Sequence, residues 1–190
     1  MKKRITRLIA GWLVTLLLAT PAIAASSFPD VGEDAAYAEA VEVLSDMDIM
    51  VGDETGHFNP DKPVTRAEMA AIICRVLGET ENLPMDSSLF PDVADCFWGN
   101  GYIIKAATLD IIKGYEDGSF HPDDTVTYAQ ALTMVVRTMG LEETAIALGG
   151  YPGGYIKAAE ENGFAGEFTA SPEDLLMRWQ VAEIIFALFL

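Results

Sequence analysis

The sequence is poor in the residues that build most metal and catalytic centres. Its 190 residues include two cysteines, Cys74 and Cys96, and two histidines, His57 and His121, which stand apart from the cysteines. Two cysteines without further ligands do not form a zinc site, so we expect neither a metal nor another cofactor. Cys74 lies among apolar residues, which favours a buried free thiol and leaves a disulfide as the alternative.

Motifs of the familiar enzyme classes are also missing. The sequence contains no G-x-S-x-G, no phosphate-binding loop and no H-E-x-x-H. A glycosidase needs two carboxylates held across a cleft, and acidic residues are so abundant here that no pair stands out. The sequence therefore predicts a protein that is not an enzyme.

Basic residues are scarce, with 12 Lys+Arg against 29 Asp+Glu and a net charge of −17. This charge repels nucleic acid and anionic lipid, so we expect neither as a partner. Acidic, glycine-containing loops such as those at Asp53-Glu54 and Asp123-Asp124 leave a calcium site as an alternative. However, they lack the alternating acidic order and the terminal glutamate of calcium-binding loops.

The one long apolar run lies near the N-terminus. Four basic residues within residues 1–7 precede an apolar run from Leu8 to Ala19, and the small residues Ala22-Ile23-Ala24 follow. This order is typical of an export signal, and the run is shorter than the roughly 20 residues that span a membrane. We predict a signal peptide over residues 1–25, cleaved after Ala24 or Ala25. The remaining chain has no predicted membrane span and a net charge of −21.

A repeat with a period of 62 residues is the strongest internal signal. Shifting the chain by 62 places Phe28-Pro29-Asp30-Val31 on Phe90-Pro91-Asp92-Val93. The same shift aligns further residues without a gap: Gly52 with Gly114, Gly56 with Gly118, Phe58 with Phe120, Thr65 with Thr127, Arg75 with Arg137 and Gly78 with Gly140. Chance does not align so many glycine, aromatic and capping positions in one register.

A third copy is weaker. Tyr155-Ile156 falls on Tyr102-Ile103, and Met177-Arg178 falls on Thr65-Arg66 if the loop between is shorter. Repeats that each expose an apolar face bury it against neighbours, and about three are commonly needed for stability. We therefore predict repeats over residues 26–80, 88–141 and 148–190.

The residue pattern of each copy predicts a helix, a compact loop and a second helix. The first helices are predicted over Ala36 to Ser45 and Trp98 to Leu109, where apolar residues recur at helical spacing. In the loops, Gly56 and Gly118 are expected at positive φ, and the phenylalanine two residues later is expected in the core.

The second helices carry clear start and stop signals. Thr65 is placed as an N-cap, with Glu68 three residues later completing a capping box, and Thr127 with Gln130 repeats this pattern. Glycine at the end of each pattern predicts helix termination.

Several motifs now stand in order: FPDV at Phe28 to Val31, TRAE at Thr65 to Glu68, Trp98, and a GIIxGYxDGxFxP-like segment from Asp110 to Pro122. Together they resemble repeats of the S-layer homology (SLH) family. The resemblance implies an all-α, pseudo-threefold bundle of helix-loop-helix repeats on the surface of a bacterium, most often Gram-positive. It also implies non-covalent, non-catalytic anchoring to secondary cell-wall polysaccharide, often bearing pyruvate ketal.

The resemblance further implies a set of glycan-binding residues. Arg66 and Arg178 would meet a carboxylate, for which a guanidinium fork is well shaped, with Glu68 beside them in the motif and Trp98 against the sugar ring. Three of them have a structural alternative: a surface position at a helix start for Arg66, a capping role for Glu68, and a core position for Trp98. Arg178 depends on the alignment of the weaker third copy.

Departures from the family pattern limit how many grooves are complete. The second copy has Tyr128 where the motif has arginine, and the tryptophan position holds Ala36 in the first copy and Tyr151 in the third. We therefore expect at most one or two of the three grooves to have all the binding residues of the family pattern. Two alternatives stay open: a module that binds another surface protein, and the N-terminal anchor of a larger wall enzyme or surface-layer protein.

Overall fold

The chain folds as an assembly of short helices. The computed structural model describes residues 28–84 and 88–190, so the predicted signal peptide lies outside the described residues. Within those ranges the chain is helical and forms no β-strand, which confirms the all-α prediction. The helices are α1 (Ala38–Asp46), α2 (Arg66–Val76), α3 (Asn100–Thr108), α4 (Tyr128–Thr138), α5 (Glu142–Ala147), α6 (Gly153–Glu161) and α7 (Arg178–Phe186), followed by a 3-10 turn at Ala187–Phe189.

Six of these helices form three helix-loop-helix units. The first unit contains α1 and α2, the second α3 and α4, and the third α6 and α7. The second helix of each unit packs on the first helix of another: α2 on α3, α4 on α6, and α7 on α1. Because the last unit packs back on the first, the three units close into a circle.

Backbone hydrogen bonds at the centre repeat the same threefold order. Just before the second helices lie Val64, Val126 and Leu176, whose side chains are fully buried. The Val64 N–H donates to the Leu176 carbonyl (3.0 Å), the Leu176 N–H to Val126 (3.1 Å), and the Val126 N–H to Val64 (2.9 Å). This closed ring pairs backbone groups that would otherwise be unsatisfied in an apolar core.

The aspartate of each FPDV motif holds the loop of its own unit. Asp92 accepts hydrogen bonds from the backbone N–H groups of Phe120 (2.8 Å) and His121 (2.7 Å), and Asp30 does the same in the first unit. Burial acts to raise the pKa of Asp92, but the two N–H donors outweigh it and the pKa is lowered. Phe58 and Phe120 are fully buried, as predicted.

The phenylalanine of the same motif explains a loop glycine. A Cβ on Gly114 would lie 2.6 Å from a ring carbon of Phe90 and 2.8 Å from the Ser119 carbonyl oxygen. Glycine is therefore required because the motif ring and the loop backbone close over it. The predicted positive φ is found at Gly56 (78°) and Gly118 (82°).

Helix capping agrees with the sequence in two units and is reduced in the third. Thr65 with Glu68, and Thr127 with Gln130, form complete capping boxes. In α7 the Gln180 side chain accepts the Met177 N–H at 2.9 Å, but Met177 offers the Gln180 N–H only a thioether sulfur, which is a weak acceptor.

Some features of the elements were not predicted. Helix α5 is absent from the expectations, and the first helices of units 1 and 2 begin two residues later than predicted. No helix in the described ranges is long and apolar enough to cross a membrane.

Candidate functional site: grooves between the units

Each second helix begins with a side chain that enters the loop of another unit. Arg66 donates from Nε to the Phe120 carbonyl (2.8 Å) and from an Nη to the Lys113 carbonyl (3.2 Å). Arg178 makes the equivalent bonds to Phe58 (2.8 Å) and Val51 (2.9 Å) in the first unit. Two inter-unit grooves are therefore built around the first residues of α2 and α7, and the first residue of α4, Tyr128, enters the loop beside the third.

The Arg178 groove draws on all three units. It is lined by residues of the first loop, of α2, of the start of α3 and of α7: Met50, Val51, Gly52, Asp53, Phe58, Asn59, Lys62, Glu68, Ala71, Ile72, Arg75, Trp98 and Arg178. Three of the four predicted site residues, Glu68, Trp98 and Arg178, thus come together in one cleft. These three residues are far apart in the sequence, which gave no indication that they share a cleft.

The Arg66 groove lies one unit further round the circle. It is lined by the second loop, α4 and residues at α6: Arg66, Ile111, Ile112, Lys113, Tyr115, Gln130, Thr133, Met134, Arg137, Tyr151 and Tyr155. The Arg66 guanidinium carbon lies 4.8 Å from the Tyr115 ring centre and 4.5 Å from that of Phe120. Tyr151, which is 57 % exposed, stands where Trp98 stands in the other groove.

Both groove arginines are desolvated cations that form no direct ion pair with the described residues. Arg66 is only 5 % exposed and Arg178 is partly buried. In the part of the chain that the structure describes, neither has a carboxylate oxygen within 4.0 Å. Burial lowers the pKa of both guanidiniums, and nearby carboxylates offset this only in part; Tyr115 also raises the pKa of Arg66, whereas Arg75 lowers that of Arg178 further. An anion placed against them would relieve the cost of burying an unpaired charge.

A second arginine stands in each of these grooves. Arg75 and Arg137 both donate to a loop carbonyl of their own unit, at 3.3 Å and 3.4 Å. Arg137 also pairs with Glu142 at 2.9 Å, which in turn accepts the Tyr155 hydroxyl at 2.7 Å. The sequence analysis did not select these arginines, although their alignment by the 62-residue shift was a visible signal.

The exposure and contacts of three site residues can be compared with the structural alternatives considered for them. Trp98 is 57 % exposed, so it is not a core residue, and Arg66 is buried rather than a surface residue. Glu68 caps α2 through the Thr65 N–H (2.9 Å) and pairs with Lys62 (2.7 Å) on the groove wall. Capping is therefore part of what Glu68 does.

The third groove has a different chemistry. Tyr128 replaces the arginine; it is 5 % exposed, and its hydroxyl donates to the Ala165 carbonyl at 3.1 Å. Arg75 and Arg137 lie nine residues after the first residues of α2 and α4. The equivalent position, nine residues after the start of α7, is Ala187. This groove therefore has no arginine at either position.

The acidic loops use their carboxylates within the loops. Asp53 accepts hydrogen bonds from Thr55, His57 and Asn59, and these bonds hold its pKa far below the ordinary value. Across the described ranges, no cluster of His, Cys, Asp or Glu is arranged to hold a metal ion. Cys74 is buried and donates to the Tyr102 carbonyl, and burial raises the pKa of its thiol to about 11.

A closed triad of helix-loop-helix units with cationic clefts at two of its junctions defines a repeat-built binding module. Residues 27–70 and 89–132 match the family model described as the S-layer homology domain. The chain belongs to the SLH family.

Its relatives are proteins of the bacterial surface. The chain is 32 % identical over 188 residues to a cell surface protein of Thermoanaerobacter kivui, covering 97 % of this chain and 24 % of that protein. It is 34 % identical over 164 residues to a surface layer protein of Brevibacillus choshinensis, covering 85 % and 14 %. A cellulosome-anchoring protein of Acetivibrio thermocellus is 34 % identical over 84 residues, which covers 43 % and 19 %.

The chain thus spans a quarter or less of the length of these relatives. Family and relatives together identify an exported cell-surface protein and support a surface-anchoring module rather than an enzyme.

Proposed function

We propose that this chain anchors its protein non-covalently to secondary cell-wall polysaccharide. The ligand is an anionic sugar whose carboxylate, such as that of a pyruvate ketal, binds in the Arg66 and Arg178 grooves. The SLH family and the anchoring relative support this assignment at the level of the module.

One observation carries the proposal to the level of residues. Two guanidiniums at equivalent positions are desolvated, fixed by loop carbonyls and left without a carboxylate partner in the described ranges. Protein structures rarely bury an unpaired charge, because the cost is several kcal/mol unless a partner arrives. A bound carboxylate supplies that partner through charge-assisted hydrogen bonds.

Each of the two grooves also offers an exposed aromatic ring. Trp98 and Tyr151 are both 57 % exposed at equivalent positions. A sugar ring presents an apolar face that packs on such a ring while its hydroxyls bind the polar wall. Lys62 and Lys113 also stand at the groove rims, where they pair with Glu68 at 2.7 Å and with Glu142 at 3.9 Å.

The test is retention of the purified chain on cell-wall sacculi with and without the secondary polysaccharide extracted. We expect retention only on walls that carry the polysaccharide. Trp98→Ala and Tyr151→Ala are chosen because exposed rings can be removed without emptying the core. Each should weaken binding roughly three- to tenfold, and the pair should weaken it further.

Ile146→Ala is the matched control, because Ile146 is 60 % exposed and lies outside both grooves. Arg66→Lys and Arg178→Lys keep the charge but lose the fork, and should weaken binding more than the control does. Their circular dichroism and melting curves must match the parent chain. Retention on extracted walls, or loss equal to that of Ile146→Ala, would contradict the proposal.

A further inference from the structure

The groove between the third and first units differs from the other two in charge as well as in residues. It is lined by Ala36, Glu39, Ala40, Glu160, Gly163, Ala165, Gly166, Glu167, Glu183, Phe186, Ala187 and Leu190. Four of these carry carboxylates, and none of these lining residues carries a positive charge. Its volume of 530 Å³ exceeds the 220 Å³ and 310 Å³ of the Arg178 and Arg66 grooves.

Each feature that suits the other grooves to an anionic sugar is replaced here. The position of the buried arginine holds Tyr128, which does not itself line the groove but donates to the carbonyl of the lining residue Ala165, and the position of the second arginine holds Ala187. Ala36 stands where Trp98 and Tyr151 offer an aromatic ring. An anionic sugar would therefore meet carboxylates and would find no aromatic ring at the position of Trp98 and Tyr151.

The residues found in their place form an apolar floor surrounded by glutamates. Phe186, Ala187 and Ala40 supply an apolar floor, and carboxylates stand around it. Glu39 and Glu160 are exposed, and among the described residues Glu183 accepts the Glu167 N–H alone, at 3.2 Å. Like charges around a cleft focus a negative potential that attracts cations.

We propose that this third groove docks a cationic amphipathic segment of a partner protein. The apolar side of the segment would cover the Phe186 floor, and its lysines or arginines would face the glutamates. Charge complementarity selects a basic occupant. The loss of the aromatic position at Ala36 selects a peptide rather than an amino sugar. The site is separate from the two arginine grooves, so its occupation does not depend on glycan binding.

The first probe is a fluorescently labelled 14-residue helical peptide of leucine and lysine, titrated against the chain by anisotropy. We expect saturable binding, and no binding of a leucine and glutamate peptide of the same length. The double substitution Glu160→Gln with Glu183→Gln removes two charges from the rim and keeps the acceptor for the Glu167 N–H. It should weaken binding roughly tenfold.

The matched control is Glu116→Gln with Glu143→Gln, which removes the same charge from exposed sites outside the groove. It should change binding less than twofold. Ala36→Arg, which places a cation at an exposed groove position, should also weaken binding while retention on sacculi stays unchanged. Equal weakening by the two double variants would mean diffuse attraction to an acidic protein and would overturn the proposal. Binding of glucosamine oligosaccharides at Glu160 and Glu183 without peptide binding would also overturn it.

Discussion

At the scale of residues, contacts between the FPDV motif and the glycine-containing loop explain why both recur in the chain. The FPDV aspartate binds the two N–H groups at the end of the loop, and the FPDV phenylalanine lies over the loop glycine. Sequence analysis detected these residues by their recurrence. Their roles were invisible in sequence because the partners are about 28 positions apart.

The aspartate contact makes the fold sensitive to acid. The pKa of Asp92 is lower in the folded chain than its ordinary value of 3.8. A group with a lowered folded pKa contributes stability above its ordinary pKa, and that contribution is lost as pH falls through the folded pKa. Asp92→Asn should therefore lower the free energy of unfolding at about pH 7 by about 1–2 kcal/mol, since Asp92 is partly solvated.

Urea unfolding at about pH 7 and about pH 2 checks this, with the exposed Asp123→Asn as the control. The difference between Asp92→Asn and the parent chain should shrink in acid, because both then lack the carboxylate. A difference that is the same at both pH values would show that the charge of Asp92 is not what stabilises the loop.

At the scale of elements, the second helix of each unit is the part the sequence describes best. Threonine, glutamate or glutamine, an apolar stripe and glycine act within a few residues of one another, so local chemistry fixes where α2 and α4 begin and end. The first helices lack side-chain caps, and their starts were placed less accurately. Helix α5 is short, and tertiary contacts with α6 hold it.

The incomplete cap of α7 predicts an asymmetry in stability. Thr127→Ala removes a complete capping box and should lower the stability of the chain by about 1 kcal/mol. Met177→Thr supplies the missing hydroxyl next to Gln180, which already accepts the Met177 N–H. It should raise stability by about 0.5–1 kcal/mol. Thermal denaturation of both variants tests this, and a destabilising Met177→Thr would contradict it.

At the scale of the whole molecule, the circular packing of the units decides which residues share a groove. Trp98 comes from the second unit, Glu68 from the first and Arg178 from the third, yet one cleft holds all three. The packing of the units also decides where charges gather: two grooves contain arginines, and the third contains four glutamates. A strongly acidic chain can therefore still present local cationic sites.

This distribution predicts how wall binding responds to salt. The groove arginines are desolvated, and salt screens buried charges much less than exposed ones. Raising the salt concentration from about 0.1 M to about 0.5 M should therefore reduce retention on sacculi less than tenfold. The Leu/Lys peptide, which meets exposed glutamates, should lose much more affinity over the same range. A steep loss of wall binding would indicate diffuse surface electrostatics in place of local arginine sites.

The sequence by itself determined the number and order of the strong repeats, the all-α class, the capped second helices and the family. The capped helices depend on residues close together in the chain, and the repeats and the family on residues that recur at a fixed spacing, so both can be seen without knowing which units meet. Only the tertiary structure decided that Arg66 is buried and Arg178 partly buried, that Trp98 is exposed, and that the third groove is acidic. Burial and shared grooves depend on which units meet, and that is set by the closure of three units around the ring of Val64, Val126 and Leu176.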